Sequence, residues 1–140
     1  MSYLAESDWK AHRSTGLMEQ LGPLLSQHNG AQTVYALRMD ERHVNPAGLV
    51  HGGTLMTLAD HALSIAAWEH SERRTPCVTV QFDMHFLNAC HQGQLVIVQP
   101  EITRAGASLF FMQAHLYADQ TPIATAMAVL KPVVHKKATT

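Results

Sequence analysis

The stretch Asn45-Pro46-Ala47-Gly48-Leu49-Val50-His51-Gly52-Gly53-Thr54-Leu55-Met56-Thr57-Leu58-Ala59-Asp60 decides how this chain is read: a loop enters, through a His-Gly-Gly turn, an apolar helix carrying one acid. Glycines at 52 and 53, directly before a run with helical spacing, let a backbone or a ligand approach without a side chain in the way. The first N–H groups of a helix lack intrahelical partners. With the positive end of the helix dipole behind them, they form a site for an oxygen that is, or becomes, negative. An ester or thioester carbonyl under attack develops such a charge. A tight loop-to-helix turn with no chemical role also fits a Gly-Gly pair, and Asp60 is what weighs against that simpler reading.

From 54 to about 69, Leu55, Met56, Leu58, Ala59, Ala62, Leu63, Ile65, Ala66 and Ala67 are apolar over most of the helix circumference, which predicts a helix wrapped by protein on most sides. Asp60 stacks within it on Met56, Thr57, Leu63 and Ser64. A carboxylate in such a layer costs several kcal/mol to desolvate unless hydrogen bonds or a chemical role compensate. A structural Asp bonded to Thr57 or Ser64 is one reading; a general base or nucleophile is the other.

Spacing forces a second inference. Seven helical residues separate Gly53 from Asp60, roughly 10 Å along the axis at about 1.5 Å per residue, whereas reacting groups must come within about 3 to 3.5 Å. If both belong to one site, the acid arrives from a second subunit, with two such helices antiparallel across a twofold axis.

The run Asn45-Pro46-x-Gly48-x-x-His51-Gly52-Gly53-x-x-x-x-Leu58-x-Asp60 resembles the signature of hot dog fold acyl-CoA thioesterases, in the branch of the phenylacetate-pathway enzyme and hydroxybenzoyl-CoA thioesterase, and the likeness extends loosely from Leu21 to Val134. The resemblance implies that Asp60 is the catalytic carboxylate, that the amide of Gly53 or Gly52 polarises the thioester carbonyl, and that Asn45 helps position water or carbonyl. It implies that His51 assists orientation and that the Thr79 hydroxyl holds the water. It also implies a curled antiparallel sheet around one long helix, subunits joined edge to edge into a homodimer, and pairs of dimers forming a homotetramer. Coenzyme A would be part of the substrate, with no separate cofactor.

Composition fits this. The 140 residues predict one domain over 1–140, with 46% hydrophobic residues and a formal net charge of -1, which argues against general nucleic-acid binding. Apolar runs fall far short of a membrane span, no basic and apolar leader opens the chain, and Cys77 and Cys90 form no metal or redox motif, so a cytoplasmic protein with free thiols is expected.

Outward from the central helix, residues 1–20 read as a helical segment: Ser7 or Asp8 caps a short helix to about Ser14 and a second turn follows through Met18. Trp9 and Met18 are expected on the sheet edge or over a pocket mouth. Gly22-Pro23 stops any helix, and His28-Asn29-Gly30 joins strands 24–27 and 31–39 in a hairpin. After a polar linker, Val78, Val80, Phe82, Met84 and Phe86 alternate with Thr79, Gln81, Asp83 and His85, predicting a strand whose apolar face covers the helix and whose Thr79 points away from it. Strands follow at about 93–104, 108–118 and 122–133, with turns at Ala105-Gly106-Ala107 and Asp119-Gln120, and 134–140 read as a flexible tail. A long buried helix followed by a meander of three or four strands is an α+β plan.

Other chemistry is weaker. Ten histidines invite a metal, but no His-Glu-x-x-His run exists, and Asp83, His85 and His91 near one strand face form the best and still poor set, so no metal is expected. Nucleophile-elbow and phosphate-loop motifs are absent. Cations for coenzyme A phosphates would be Arg73, Arg74, Arg104, Lys131, Lys136 or Lys137. Arg104 is the best of them, beside a turn where relatives contact the cofactor tail, although a further basic residue common in relatives is Ala107 here. Leu24, Leu55, Met56, Leu63 and Met84 are candidates for an acyl pocket, or simply core. A non-catalytic acyl-CoA sensor or carrier and a thioester dehydratase are the alternatives; Gly-Gly after His51, where dehydratases have Phe-Pro, argues against the latter.

Overall fold

The structure is a computed structural model that describes residues 8–72 and 74–133. Its elements are β1 (Lys10–His12), α1 (Leu17–Leu21), β2 (Leu24–His28), β3 (Thr33–Arg38), α2 (Gly52–His70), β4 (Cys77–Phe86), β5 (Leu95–Ala105), β6 (Phe110–Ala118) and β7 (Thr121–Pro132). All strand pairs are antiparallel, in the order β1-β2-β3-β5-β6-β7-β4. The sheet curls around α2, which packs against β3, β4, β5, β6 and β7. This is the expected α+β hot dog arrangement.

Burial explains why α2 sits at the centre. Leu58, Ala59, Ala62, Leu63 and Ala67 have no exposed surface, and they share one buried core with Met112, Leu116 and Leu130 of the sheet. The β6–β7 hairpin turns at Asp119-Gln120, both at positive φ as a tight two-residue connection requires.

The loop ahead of α2 is held by polar groups. Arg42 donates to the carbonyls of Gln20 at 2.6 Å and Gly22 at 2.8 Å, occupying acceptors at the C-terminal end of α1, and Asp40 pairs with it at 2.7 Å. Fully buried His43 donates from Nε2 to Leu21 O at 2.7 Å, and its Nδ1 accepts the Asp40 N–H at 2.9 Å. Its own carbonyl accepts from His51 N–H and Thr54 Oγ1, so the first turn of α2 is tied to the α1 end of the molecule.

Two expectations fail. In place of a helix to Ser14, Lys10–His12 form a strand paired with Leu24–Ser26, and the helix that follows starts only at Leu17. That stretch has no apolar stripe to bury as a helix, whereas an extended chain satisfies the edge of β2. Trp9 then packs with Leu25, Leu95 and the buried Val34, Ala36 and Ile97, while Met18 enters the main core. Ser7 and residues 134–140 lie outside the described residues, as do Arg73, Lys136 and Lys137.

The second failure concerns β4. Its register with β7 shifts between Thr79 and Gln81, so Val80 is an extra residue in a bulge. Beyond the bulge Phe82 and Met84 face the core as expected; before it the faces exchange. Cys77 packs on the core, Val78 and Val80 are 50% and 57% exposed, and Thr79 turns toward α2 of its own chain. One inserted residue reverses every side chain on one side of it.

Candidate active site

The residues singled out in the sequence gather into two groups about two helical turns apart. The first surrounds the N-terminus of α2. His51 caps the helix: its Nδ1 accepts the Gly53 N–H at 2.9 Å and its carbonyl accepts the Thr54 N–H at 2.9 Å. That leaves the Gly52 N–H as the helix-start donor without a hydrogen bond among the described residues. Gly52 lines a cavity of about 370 Å³ together with Asn45, Leu55 and Phe86. A Cβ on residue 52 would lie 3.2 Å from the Phe86 ring, so glycine there lets the ring pack close to the helix start.

Asn45 builds the loop. Its Oδ1 accepts the Ala47 and Leu49 N–H groups, each at 3.0 Å, its N–H donates to Leu49 O at 2.7 Å, and its carbonyl accepts the Gly48 N–H at 2.9 Å. Gly48 has a φ of 82°, a conformation that favours glycine, which accounts for the Asn-Pro-x-Gly spacing. The side-chain nitrogen of Asn45 is the part not used in this loop.

The second group lies on the side of α2 that the curled sheet leaves open. Asp60 is half-buried, and its Oδ1 accepts a 2.5 Å hydrogen bond from Thr79 Oγ1. The hydroxyls of Thr57 and Ser64 go elsewhere, to Gly53 O at 2.8 Å and Asp60 O at 2.9 Å. Neither holds the carboxylate, so the structural reading of Asp60 loses its two named partners, and a strand hydroxyl delivered by the β4 bulge replaces them. Met56, 39% exposed, lies one turn before Asp60; Leu63 is wholly inside the core. Leu24 and Leu55 are also buried, and Met84 is packed against the core.

Beside Asp60 a cavity of about 500 Å³ follows the same side of α2 along His61, Ser64, Ile65, Trp68 and Glu69. These residues repeat at three- and four-residue spacing, a stripe that the sequence contains and that could have been read directly from Asp60 onward. Burial pushes His61 below its ordinary pKa, partly opposed by the charge of Asp60, so its imidazole favours the neutral form. Burial likewise raises the Cys77 thiol, keeping it protonated.

Other candidates lie apart. Arg104 is exposed on β5 opposite Phe111 and lines neither of these cavities, Arg74 stacks over the Trp68 ring at 4.6 Å, and Lys131 is exposed on β7. Asp83 accepts from Gln81 Nε2 at 2.9 Å, and among the described residues no three His, Cys, Asp or Glu side chains converge as a metal site would need. Among them, no helix is long and apolar enough to cross a membrane.

The geometry therefore supplies a free helix-start amide in one concavity and a hydroxyl-bonded carboxylate beside another. Eight residues of unbroken α2 separate Gly52 from Asp60, about 12 Å at about 1.5 Å per residue, so one chain cannot bring the two to a single carbonyl.

Comparison with known proteins identifies the family and the fold. Residues 47–125, more than half of the chain, match the family described as the thioesterase superfamily. A Pseudomonas aeruginosa protein provisionally named an esterase is 35% identical over 118 residues, covering 84% of this chain and 88% of that one. Mouse acyl-coenzyme A thioesterase 13 is 29% identical over 80 residues, covering 57% and 56%. Among solved structures, zebrafish thioesterase superfamily member 2 superposes with a TM-score of 0.75 at 24% identity, over 86% of this chain and 88% of that one. The BH2602 protein of Bacillus halodurans, determined with CoA, gives a TM-score of 0.74 at 19% identity over 84% and 76%.

Proposed function

This chain belongs to the thioesterase superfamily, and from that premise we propose that it is an acyl-CoA thioesterase, hydrolysing an acyl or aryl thioester to a carboxylic acid and free coenzyme A. The observation that carries the reading is the Thr79 to Asp60 hydrogen bond on the open side of α2. The hydroxyl occupies one carboxylate oxygen and fixes the group, leaving the other oxygen to work on the substrate. A relative named as an acyl-coenzyme A thioesterase and a CoA-bound neighbour support the substrate class.

In the proposed site, Asp60 takes a proton from a water that attacks the carbonyl, or attacks it directly to give an anhydride that water then opens. Either way the thioester C–S bond breaks, the sulfur leaves as thiolate and takes up a proton, and water supplies the acid's new oxygen. The oxyanion is received by the Gly52 N–H of a second protomer, a donor whose loss typically costs about 3 to 4 kcal/mol. The Gly53 amide, engaged by His51, serves to hold the turn, and Asn45 presents its side-chain nitrogen to the same concavity. The working unit is thus a homodimer with α2 helices antiparallel across a twofold axis, and a dimer of dimers is the proposed assembly. A protein that is active as a strict monomer would refute the shared site.

The test is thiol release from a panel of acyl-CoAs. Asp60→Asn should reduce turnover at least about a hundredfold with the fold intact. Undiminished hydrolysis would remove Asp60 from the mechanism, and wild-type protein that binds acyl-CoA without releasing thiol would overturn the enzymatic reading.

A further inference from the structure

The 500 Å³ cavity beside Asp60 is bounded on one side, along α2, by a particular contact, and on another it adjoins a further concavity at His12, Arg13 and Ser14. Tyr35 and Glu69 line the cavity beside Asp60, and both also line a second cavity of about 730 Å³ farther along the molecule. Tyr35 OH donates to Glu69 Oε2 at 3.3 Å, so this bonded pair is the partition between the two spaces. Both linings are mixed, but their large apolar groups differ. On the Asp60 side Leu24, Ile65, Trp68, Pro76 and Cys77 stand among His12, Arg13, Ser14 and Ser26; beyond the partition His28, Gln32, Thr33, Gln99 and Glu101 stand among the smaller Ala31, Ala66 and Pro100.

The first cavity adjoins Asp60 through its helix neighbours His61 and Ser64, which line it. Cys77 stands two residues before Thr79, on the same face of β4. His61 and Ser64 begin the helical stripe where Asp60 lies, and Trp68 and Glu69 end it. From Asp60 to Glu69 is nine residues, about 13.5 Å at about 1.5 Å per residue. In an extended alkyl chain, C–C bonds of about 1.5 Å advance about 1.25 Å each, so about ten or eleven carbons reach the partition.

We propose that the Tyr35–Glu69 hydrogen bond is the end stop of the acyl cavity, so that this protein takes straight medium-chain acyl groups of up to about ten carbons and rejects longer ones. The inference rests on the reading of Asp60 as the catalytic carboxylate. Methylenes entering the apolar part leave water for Leu24, Ile65 and Trp68, and each improves binding about fourfold. The next methylenes must part a hydroxyl from a carboxylate and desolvate both, which reverses the gain. Burial and the neighbouring charge of Glu69 push the Tyr35 hydroxyl well above its ordinary pKa, so it remains a donor throughout the working pH range.

Glu69 is the informative substitution because it is exposed, whereas Tyr35 is 2% exposed and is best changed only to Phe. For wild type, kcat/KM measured across acyl-CoAs of about 4 to about 16 carbons should climb about fourfold per methylene to about ten carbons and then fall about tenfold or more. In Glu69→Ala the optimum should move up by about four carbons into the second cavity, and the fourteen-to-ten-carbon ratio should rise at least about tenfold; Tyr35→Phe should move it the same way by less. A profile without a break in wild type, or an unchanged ratio in both variants, would overturn the end stop.

A readout independent of turnover separates this from the proposed reaction. In Trp9→Phe, Trp68 is the sole tryptophan and lines the cavity. Its emission, titrated with free straight-chain fatty acids, should report affinity rising to about ten carbons and breaking there, with the break displaced by Glu69→Ala. If the break appears but no acyl-CoA is hydrolysed, the end stop stands and the enzymatic reading falls. If hydrolysis proceeds while no acid perturbs Trp68, the reaction stands and the acyl cavity has been misassigned.

Discussion

The two sides of α2 differ in what holds them. On the core side, Leu55, Leu58, Ala59, Ala62, Leu63 and Ala67 are buried, and their position follows from packing alone. On the open side, Gly53 and Met56 are exposed, Thr57, Asp60 and Ser64 are half-buried, and polar groups are joined one to one. A packed face tolerates little change in volume or polarity and takes no part in a reaction. The open face is the reverse, because its groups contact little and the carboxylate is steadied by a single strand hydroxyl. Stability and function should therefore divide between the two sides of one helix.

The strongest test of that division acts on the core. Leu58 has no exposed surface, and Leu58→Ala should cost about 3 kcal/mol, within a range of about 2 to 5, seen as a lowered urea midpoint. Asp60→Asn, about one-half turn away on the other side, should change stability by no more than about 0.5 kcal/mol while turnover collapses. Comparable destabilisation by both would mean that the acid is structural and that the two sides do not differ. Thr79→Ala sharpens the comparison: it frees the carboxylate, and should lower kcat about tenfold with KM little changed, while Thr79→Ser, which retains the hydroxyl, should recover most of the rate. A Thr79→Ala enzyme with full kcat would reduce the 2.5 Å bond to packing.

The same contrast explains which parts of the molecule were legible in the sequence. The buried side of α2 repeats its apolar residues so regularly that helix, centrality and α+β class followed from periodicity, and Asn29-Gly30 and Asp119-Gln120 marked their turns by local chemistry. The glycine turn and Asp60 stood out because each is costly without a reason. Thr79 was misdirected because strict alternation runs through Val78, Thr79 and Val80, and no local signal announces that Val80 is an inserted residue; the bulge exists through pairing with Leu130 and Val129, fifty residues downstream. Lys10–His12 became a strand for a similarly distant reason, the unpaired edge of β2. The Tyr35–Glu69 partition joins residues 34 apart and had no signature beyond the stripe that leads to it.

The smallest expected effect concerns acid. His61, on the open side, titrates below its ordinary value of 6.5 in the folded chain because it is buried, so on acidification the unfolded chain takes up a proton first. Stability is then full above about pH 6.5 and declines as pH falls below it, until the folded imidazole protonates too. Asp40, in the loop that anchors α2, is held down from 3.8 to about 2, first by its hydrogen bond with Arg42. Its contribution is present above pH 3.8 and is lost as pH falls toward about 2. The Asp40–Arg42 pair is exposed enough that this second loss should be at most about 1 kcal/mol and should shrink in salt. Urea midpoints measured from pH 7 downward should therefore fall in two stages. His61→Gln should erase the upper stage and Asp40→Asn the lower, each leaving the other in place. A single stage unaffected by His61→Gln would show that the open side of α2 carries no burial penalty, and that the difference between the two sides lies only in shape.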